Sequence, residues 1–318
     1  MIVEAVNFRP ESFPPASCNR LSLHIPDTAD VPLLLLNGSR PGKTLVVTAG
    51  VHGDEYEGVR AILEVVQELS PQTMSGRLIA VPVANPPAFW QGMRTSPVDG
   101  QNMARIMPGS STGTFSERIA FTLAHNVIDF ADFYLDLHSG GITYRMPSMV
   151  GYSTTDPRST AAAAIFGASI LWGHEQIAPG RTISYAASKG IPWLYTEARG
   201  AGRIHPQDLE MMKSGIYNLL RHLGILPGAP PSAAIQWRLQ GEGDTDAGVT
   251  ATKTGFLLHK VHLLQTVQKG QLLGTLVSPT GELLEEYRAE KAGIVGMVHE
   301  FPIVQPGDSL FLLADRDL

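Results

Sequence analysis

The chain has 318 residues, 24 lysines and arginines against 30 aspartates and glutamates, a net charge of −6 and a hydrophobic share of 43%. That composition excludes general disorder, and a length beyond the ~250–300 residues at which single cores stop growing predicts a large domain with a small one attached. A mildly acidic chain with no lysine/arginine block argues against nucleic acid or an anionic membrane as partner. No apolar run nears the ~20 residues of a membrane span, residues 1–18 hold no signal-peptide core, and the single cysteine, Cys18, excludes an intrachain disulfide and a Cys-rich zinc knuckle. The expectation is a cytoplasmic protein whose metal, if it has one, sits on histidine and carboxylate.

The first forty residues, rich in proline, read as short strands and turns. Residues 44–50, a β-branched apolar run ended by Gly50, predict a buried strand. Residues 56–69 carry apolar side chains at Val59, Ile62, Leu63, Val66 and Leu69, a helical period, and 77–84 form a second strand in which Pro82 suggests a break or an edge position. Strand, helix, strand with short turns is a βαβ unit. Residues 85–113 have no clear period, and a loop of that length in a compact domain is functional or disordered.

Thr114-Phe-Ser-Glu117 is a capping-box pattern opening a helix to about residue 130. Strands follow at 132–138 and 191–197, and helices at 159–171 and 206–222. Residues 226–233, Leu-Pro-Gly-Ala-Pro-Pro-Ser-Ala, make the best linker in the chain. Beyond it, short apolar runs cut by glycines over 250–313 suit a small all-β domain.

Chemistry-bearing residues gather at predicted strand ends. Val51-His52-Gly53-Asp54-Glu55 follows the first strand, and its histidine and glutamate, three apart, can reach one ion. Asp136-Leu137-His138-Ser139-Gly140-Gly141 ends another strand, with Asp136 and His138 on one face. Tyr195-Thr196-Glu197 ends a third. Ligands of open α/β sheets bind outside the carboxyl ends of strands, so two histidines and two glutamates could converge there. Two histidines and one carboxylate with a position left for water is the ligand set of catalytic zinc sites, and a second carboxylate beside them can shuttle a proton. Taken singly, each feature has a plainer reading. His-x-x-Glu is a common pattern, His138 alone is a hydrogen-bonded histidine near a turn, and Glu197 alone is a surface carboxylate. Their shared placement favours the joint reading. Asp54 and Asp136 are candidates to orient ligand imidazoles.

Ala49-Gly-Val-His-Gly-Asp-Glu55 followed by Glu57-Gly58, then Asp136-Leu-His-Ser139, then Thr196-Glu197, resembles the succinylglutamate desuccinylase/aspartoacylase family of the zinc carboxypeptidase-like group. The resemblance covers nearly the whole chain. It implies an α/β fold with a mixed sheet flanked by helices in residues 1–232. Residues 233–318 would then form a C-terminal β-domain, lipoyl-like in its turns but without the lysine setting for lipoylation, that serves in packing, oligomerisation or covering the active site. It also implies one Zn²⁺ per chain on His52, Glu55 and His138, with Glu197 as general acid/base. Arg94 fits the arginine that polarises the scissile carbonyl.

Within Asp99-Gly-Gln-Asn-Met-Ala-Arg-Ile-Met-Pro-Gly109, Arg105 falls at the family's carboxylate-binding arginine. Ala104 stands where the family usually has asparagine, and Asn102 is a candidate to compensate. Arg199 and Arg203, a departure from the family's glycine-rich continuation, suit an anionic group on the substrate or a solvated loop. The implied activity is hydrolysis of a small, anionic N-acyl amino acid or related N-acylated amine. A zinc carboxypeptidase and a non-catalytic binding protein are the alternatives.

Overall fold

The computed structural model describes residues 1–231, 234–241 and 243–316; the boundary expected between 232 and 233 lies outside the described residues. Strands β1 (Ile2–Glu4), β2 (Ser17–His24) and β3 (Val31–Asn37) lead into β4 (Arg40–Ala49), helix α1 (Glu57–Glu68) and β5 (Ser75–Val81). Helices α2 (Pro86–Gln91) and α3 (Phe115–Asn126) precede β6 (Phe133–Leu137), β7 (Tyr144–Arg145) and β8 (Met149–Ser153). Helix α4 (Pro157–Phe166), β9 (Ile170–His174), α5 (Thr182–Ser188), β10 (Trp193–Glu197) and α6 (Pro206–His222) follow, and β11 (Trp237–Gln240) comes after the linker.

These strands form one mixed sheet in the order β1-β2-β3-β5-β4-β6-β10-β8-β9-β11. Alternation along the central strands divides their side chains between two cores. Leu45, Val47, Phe133 and Leu135 pack with Val59, Ile62 and Val65 of α1 and with Met212 and Ile216 of α6. Val46 and Tyr134 point the other way, to Ile119 and Leu123 of α3 and Ile183 of α5. Each such aliphatic side chain, fully buried, stabilises the fold by roughly 1.5–3 kcal/mol.

The sheet fixes where the chemistry sits. Strand β6 runs parallel to β4 on one side and to β10 on the other, with Asp136 level with Thr48 and with Tyr195. Three neighbouring strands therefore end at the same height, and the residues just past them meet. Thr114 and Glu117 form the expected capping box at the start of α3.

Three expectations need correction. The second strand ends at Val81 and not at residue 84: Pro82 marks the expected break in pairing and not an edge, because β5 pairs on both sides. The helix read through 159–171 ends at Gly167, whose φ of +111° suits glycine, and residues 170–174 form β9. The 85–113 loop contains α2 and a 3-10 turn at Met103–Arg105.

The C-terminal part carries β12 (Val249–Thr250), β13 (Gly255–His259), β14 (Thr266–Val267), β15 (Leu272–Val277), β16 (Leu283–Arg288), β17 (Gly293–His299), β18 (Ile303–Val304) and β19 (Ser309–Arg316). Strands β16-β15-β13-β18 make a separate four-stranded sheet, whereas β19 and β17 continue the large sheet through β11. Leu257, Val267, Leu276, Val298 and Phe311 form this part's own core. Met149, Trp172, Leu239 and Met297 pack across the junction. No helix among the described residues is long and apolar enough to cross a membrane.

The turn after β4 lies tightly against α2. A Cβ on Gly53 would collide with the backbone carbonyl of Ala88, which cannot swing aside. Gly53→Ala is expected to cost about 1–3 kcal/mol through forced backbone shifts and to lower metal content, measured by urea denaturation and metal analysis of the purified variant.

Candidate metal centre and active-site pocket

His52, Glu55 and His138 lie together past the ends of β4 and β6, each offering one ligand atom within 4.8 Å of the others. Glu55 Oε1 is 2.7 Å from His52 Nδ1, and Oε2 is 2.9 Å from His138 Nδ1. The outer ring nitrogens have partners of their own. His138 Nε2 lies 2.9 Å from Asp136 Oδ2, and His52 Nε2 lies 3.1 Å from Asn102 Oδ1. That Asn102 oxygen also accepts from the Ala104 N–H at 3.0 Å, which fixes the amide's orientation.

Each Nε2 thus donates outward, to Asp136 or Asn102, and each Nδ1 turns inward toward the Glu55 carboxylate. Two imidazole nitrogens and a carboxylate facing one another are the donor set that a divalent cation satisfies; burial lowers His138, but the Asp136 and Glu55 charges outweigh it and raise it well above the usual range. The residues present fit such an ion.

Electrostatics supports the grouping. Burial pushes His52 down to about 4, assisted by the positive charge of Arg94, so it stays neutral. Burial alone would raise Glu55, but His52 and His138 outweigh it and hold the carboxylate below its usual range. Asp136 is fully buried and also held low; burial works against this, and His138, Thr182 and Thr48 overcome it. Thr48 donates to it at 2.6 Å, and Thr182 donates to its other oxygen.

Glu197, at the end of β10, lines the same pocket as His52 and His138. Its Oε2 is buried with no hydrogen-bond partner among the described residues. Burial and the neighbouring Glu55 charge push its carboxyl up to about 8, against the pull of His138 and Arg94. A carboxyl poised near neutrality in a pocket suits proton transfer. Arg94 also lines the pocket, with Nη1 3.3 Å from Glu55 Oε1 and its guanidinium 5.5 Å from the Tyr144 ring centroid.

The remaining expected residues divide. Asp136 does orient an imidazole, but Asp54 touches neither histidine; its Oδ2 accepts from the Ile142 N–H at 2.9 Å and so braces the turn after β6. Asn102 is engaged on His52 instead of facing outward to compensate for Ala104. Arg105 lines the pocket, yet its guanidinium already meets Asp244 at 3.3 Å and Asp246 at 2.8 Å. Arg199 is not brought into this pocket. The fully buried Asp208 draws it away, at 3.2 Å from Nη2, and it lines a separate cleft with Arg145 and Arg203.

Among the lining residues that sequence reasoning missed are His174, Tyr195, Arg181 and Thr182. Tyr195 could have been found, since it lies two positions before Glu197 on one strand and so shares its face. His174 closes β9, the strand hidden by the overlong helix. His174 Nδ1 donates to the Gly241 carbonyl at 2.9 Å, which leaves Nε2 to accept from the Tyr195 hydroxyl at 2.8 Å.

A mixed α/β sheet thus carries at its strand ends a His-Glu-His cluster that could hold a metal ion, with a buried glutamate of raised pKa in the same pocket. Residues 41–223 match the succinylglutamate desuccinylase/aspartoacylase catalytic domain. The chain belongs to the succinylglutamate desuccinylase/aspartoacylase family.

It is 32% identical over 286 residues, 86% of this chain and 82% of the other, to the N-alpha-acetyl-L-2,4-diaminobutyric acid deacetylase of Halomonas elongata. It superposes on a succinylglutamate desuccinylase from Silicibacter sp. TM1040 with a TM-score of 0.84, at 28% identity, covering 96% and 98% of the two chains. The product-bound ectoine utilization protein EutE (DoeB) of Ruegeria pomeroyi gives a TM-score of 0.83 at 30% identity, again covering 96% and 98%.

His174 gives the pocket a measurable acid sensitivity. It is 2% exposed, and burial pushes it from 6.5 down to about 4, with Gly241 opposing and Arg181 assisting. The unfolded chain takes up this proton as pH falls through 6.5, and the folded chain does not until about 4. Stability is therefore expected to fall across that window by up to about 3 kcal/mol from this group. Denaturation midpoints at pH 7.5 and 5.0 should show a smaller drop in His174→Gln than in the wild type.

Proposed function

We propose that the protein hydrolyses the amide bond of a small N-acyl amino acid, releasing a carboxylate and a free amine, with zinc held by His52, Glu55 and His138. The observation that carries the proposal is the meeting of that donor set with Glu197 in one pocket. The names of the relatives, a deacetylase and a desuccinylase, agree in describing removal of an acyl group. The Halomonas relative's substrate, an N-acetylated diamino acid, is the first compound to test.

A zinc ion bound there would act as a Lewis acid and lower the pKa of a coordinated water to about 7. The chain's own residues supply the rest. Glu197 accepts the proton of the water that attacks the acyl carbonyl, and later delivers it to the nitrogen as the carbon–nitrogen bond breaks. Its raised pKa makes it competent in both directions near neutral pH. Arg94 faces the carbonyl oxygen as negative charge develops there, a contribution worth roughly 3–4 kcal/mol for a comparable oxyanion donor. Asp136 and Asn102 hold the two imidazoles with their Nδ1 atoms inward.

Glu197→Gln is expected to reduce kcat on N-acetyl-L-2,4-diaminobutyrate by about 10²–10⁴-fold while metal analysis still returns one ion per chain. Full turnover by a metal-loaded variant would remove Glu197 from proton transfer. Dialysis against a chelator should abolish activity and lower the melting temperature, because an ion that binds only the folded state stabilises it. Readdition of Zn²⁺ should restore both.

A further inference from the structure

We infer that Tyr144 is a positioning residue for Arg94, whose guanidinium it holds by the flat face with the N–H edge left to the pocket. The inference rests on the part given to Arg94 in the reaction proposed above.

Arg94 lies in irregular backbone between α2 and the 3-10 turn at Met103–Arg105. The chain beside it is tied down, since the Gly53 N–H donates to the Met93 carbonyl at 2.9 Å. The arginine side chain beyond that anchor still has about 2 kcal/mol of rotamer entropy to lose. Its contact with Glu55 supplies little of the restraint. At 3.3 Å it is longer than the about 2.7–2.9 Å of a strong charge-assisted bond, and the same Glu55 oxygen already faces His52 Nδ1 at 2.7 Å. The Tyr144 ring is the second restraint. Its centroid lies 5.5 Å from the guanidinium carbon, inside the ~6 Å reach of a cation–π contact. Arg94 is among the residues lining the pocket and Tyr144 is not, so the ring stands behind the guanidinium and away from the substrate.

Tyr144 is held in turn by the C-terminal part. It sits opposite His299 where β7 pairs with β17, and the two rings meet edge to face, 5.6 Å apart at 87°. His299 is 1% exposed, and its Nδ1 donates to the Ser309 carbonyl at 3.0 Å, which fixes the imidazole. The Glu300 N–H donates to the Thr143 carbonyl at 2.8 Å, and Asp54 accepts from the Ile142 N–H. Asp54 thus braces the turn that carries Tyr144. A guanidinium already in place when negative charge develops needs no reorganisation at that moment, and the gain appears in the transition state. Loss of the support should therefore lower kcat and spare KM.

The test uses the zinc-loaded full chain and N-acetyl-L-2,4-diaminobutyrate. Tyr144→Leu is expected to lower kcat by about 2–30-fold, a cation–π contact expressed as a rate ratio, with KM unchanged. Tyr144→Phe, which keeps the ring face, should retain most of the rate. A trifluorinated phenylalanine at position 144 has nearly the shape of phenylalanine with the negative charge of its face withdrawn, and it should lose as much as the leucine variant. In an Arg94→Ala background neither replacement should cost more, because both act through Arg94. The side-chain N–H signal of Arg94 in a nuclear magnetic resonance spectrum, identified by its loss in Arg94→Lys, should report greater mobility in both. If melting curves show that Tyr144→Leu does not fold, the trifluorinated ring against Tyr144→Phe carries the comparison.

A trifluorinated variant as fast as Tyr144→Phe, an undiminished Tyr144 effect in Arg94→Ala, or an Arg94 signal as rigid in the variants as in the wild type would overturn the positioning role. A wild type that turns over no N-acyl amino acid, or an Arg94→Ala variant with full kcat, would instead sink the part given to Arg94 in the reaction. The mobility of the Arg94 signal then decides by itself whether Tyr144 holds the guanidinium.

Discussion

A carboxylate taken out of water loses hydration worth several kcal/mol even after the surroundings relax. Glu55, 3% exposed, keeps its charge because His52, His138, Arg94 and the Ser139 N–H enclose both its oxygens. Those four partners come from three chain segments, and the parallel register of β4, β6 and β10 brings the strand ends level. Any slip of β4 against β6 would separate Glu55 from His138 and leave a buried charge unsatisfied. The site therefore constrains the sheet as much as the sheet positions the site. The same charge reaches across the pocket to Glu197, whose raised proton affinity follows from burial and then from Glu55.

The C-terminal part is tied to this arrangement through backbone pairing as well as side chains. Strand β11 runs parallel to β9 and antiparallel to β19, so the large sheet passes without interruption from one part to the other. On one side of the pocket, β17 pairs with β7, which carries Tyr144 beneath the Arg94 guanidinium. On the other, His174 at the end of β9 holds the segment that supplies Asp244.

The metal-centre residues were legible in the sequence because their chemistry is local to strand ends. His52 and Glu55 share one turn, and His138 and Asp136 share one strand face, so short motifs carried most of the geometry. Two kinds of information were not local. The alanine-rich stretch before Gly167 continues smoothly into an apolar run, and periodicity alone does not tell a buried strand from a helix end. That concealed β9 and with it His174. Closeness in sequence also misled. Arg199 follows Glu197 by two residues, but a fully buried Asp208 without another cation claims its guanidinium. Asp54 adjoins Glu55, yet its carboxylate turns to the Ile142 amide. The partners of Arg105 lie about 140 positions away, past the linker, and no motif joins them.

The placement of Glu197 suits the proposed use of one carboxyl as base and acid in a single turnover. It does not hydrogen-bond to Glu55, so the Glu55 charge acts on it through space. A cation among His52, Glu55 and His138 offsets the Glu55 charge and lowers the proton affinity of Glu197. A bound amide that displaces water works in the opposite direction, by deepening the burial that is already the larger cause of its raised pKa. In the proposed reaction an ion bound there would thus ready Glu197 to accept a proton, and bound substrate would ready it to hold one until the nitrogen leaves. Both adjustments act on a carboxyl that begins near 8, from which a modest downward shift crosses neutral pH and an upward one returns it. A solvent-exposed glutamate would begin near 4.3, and displaced water would have little hold on it.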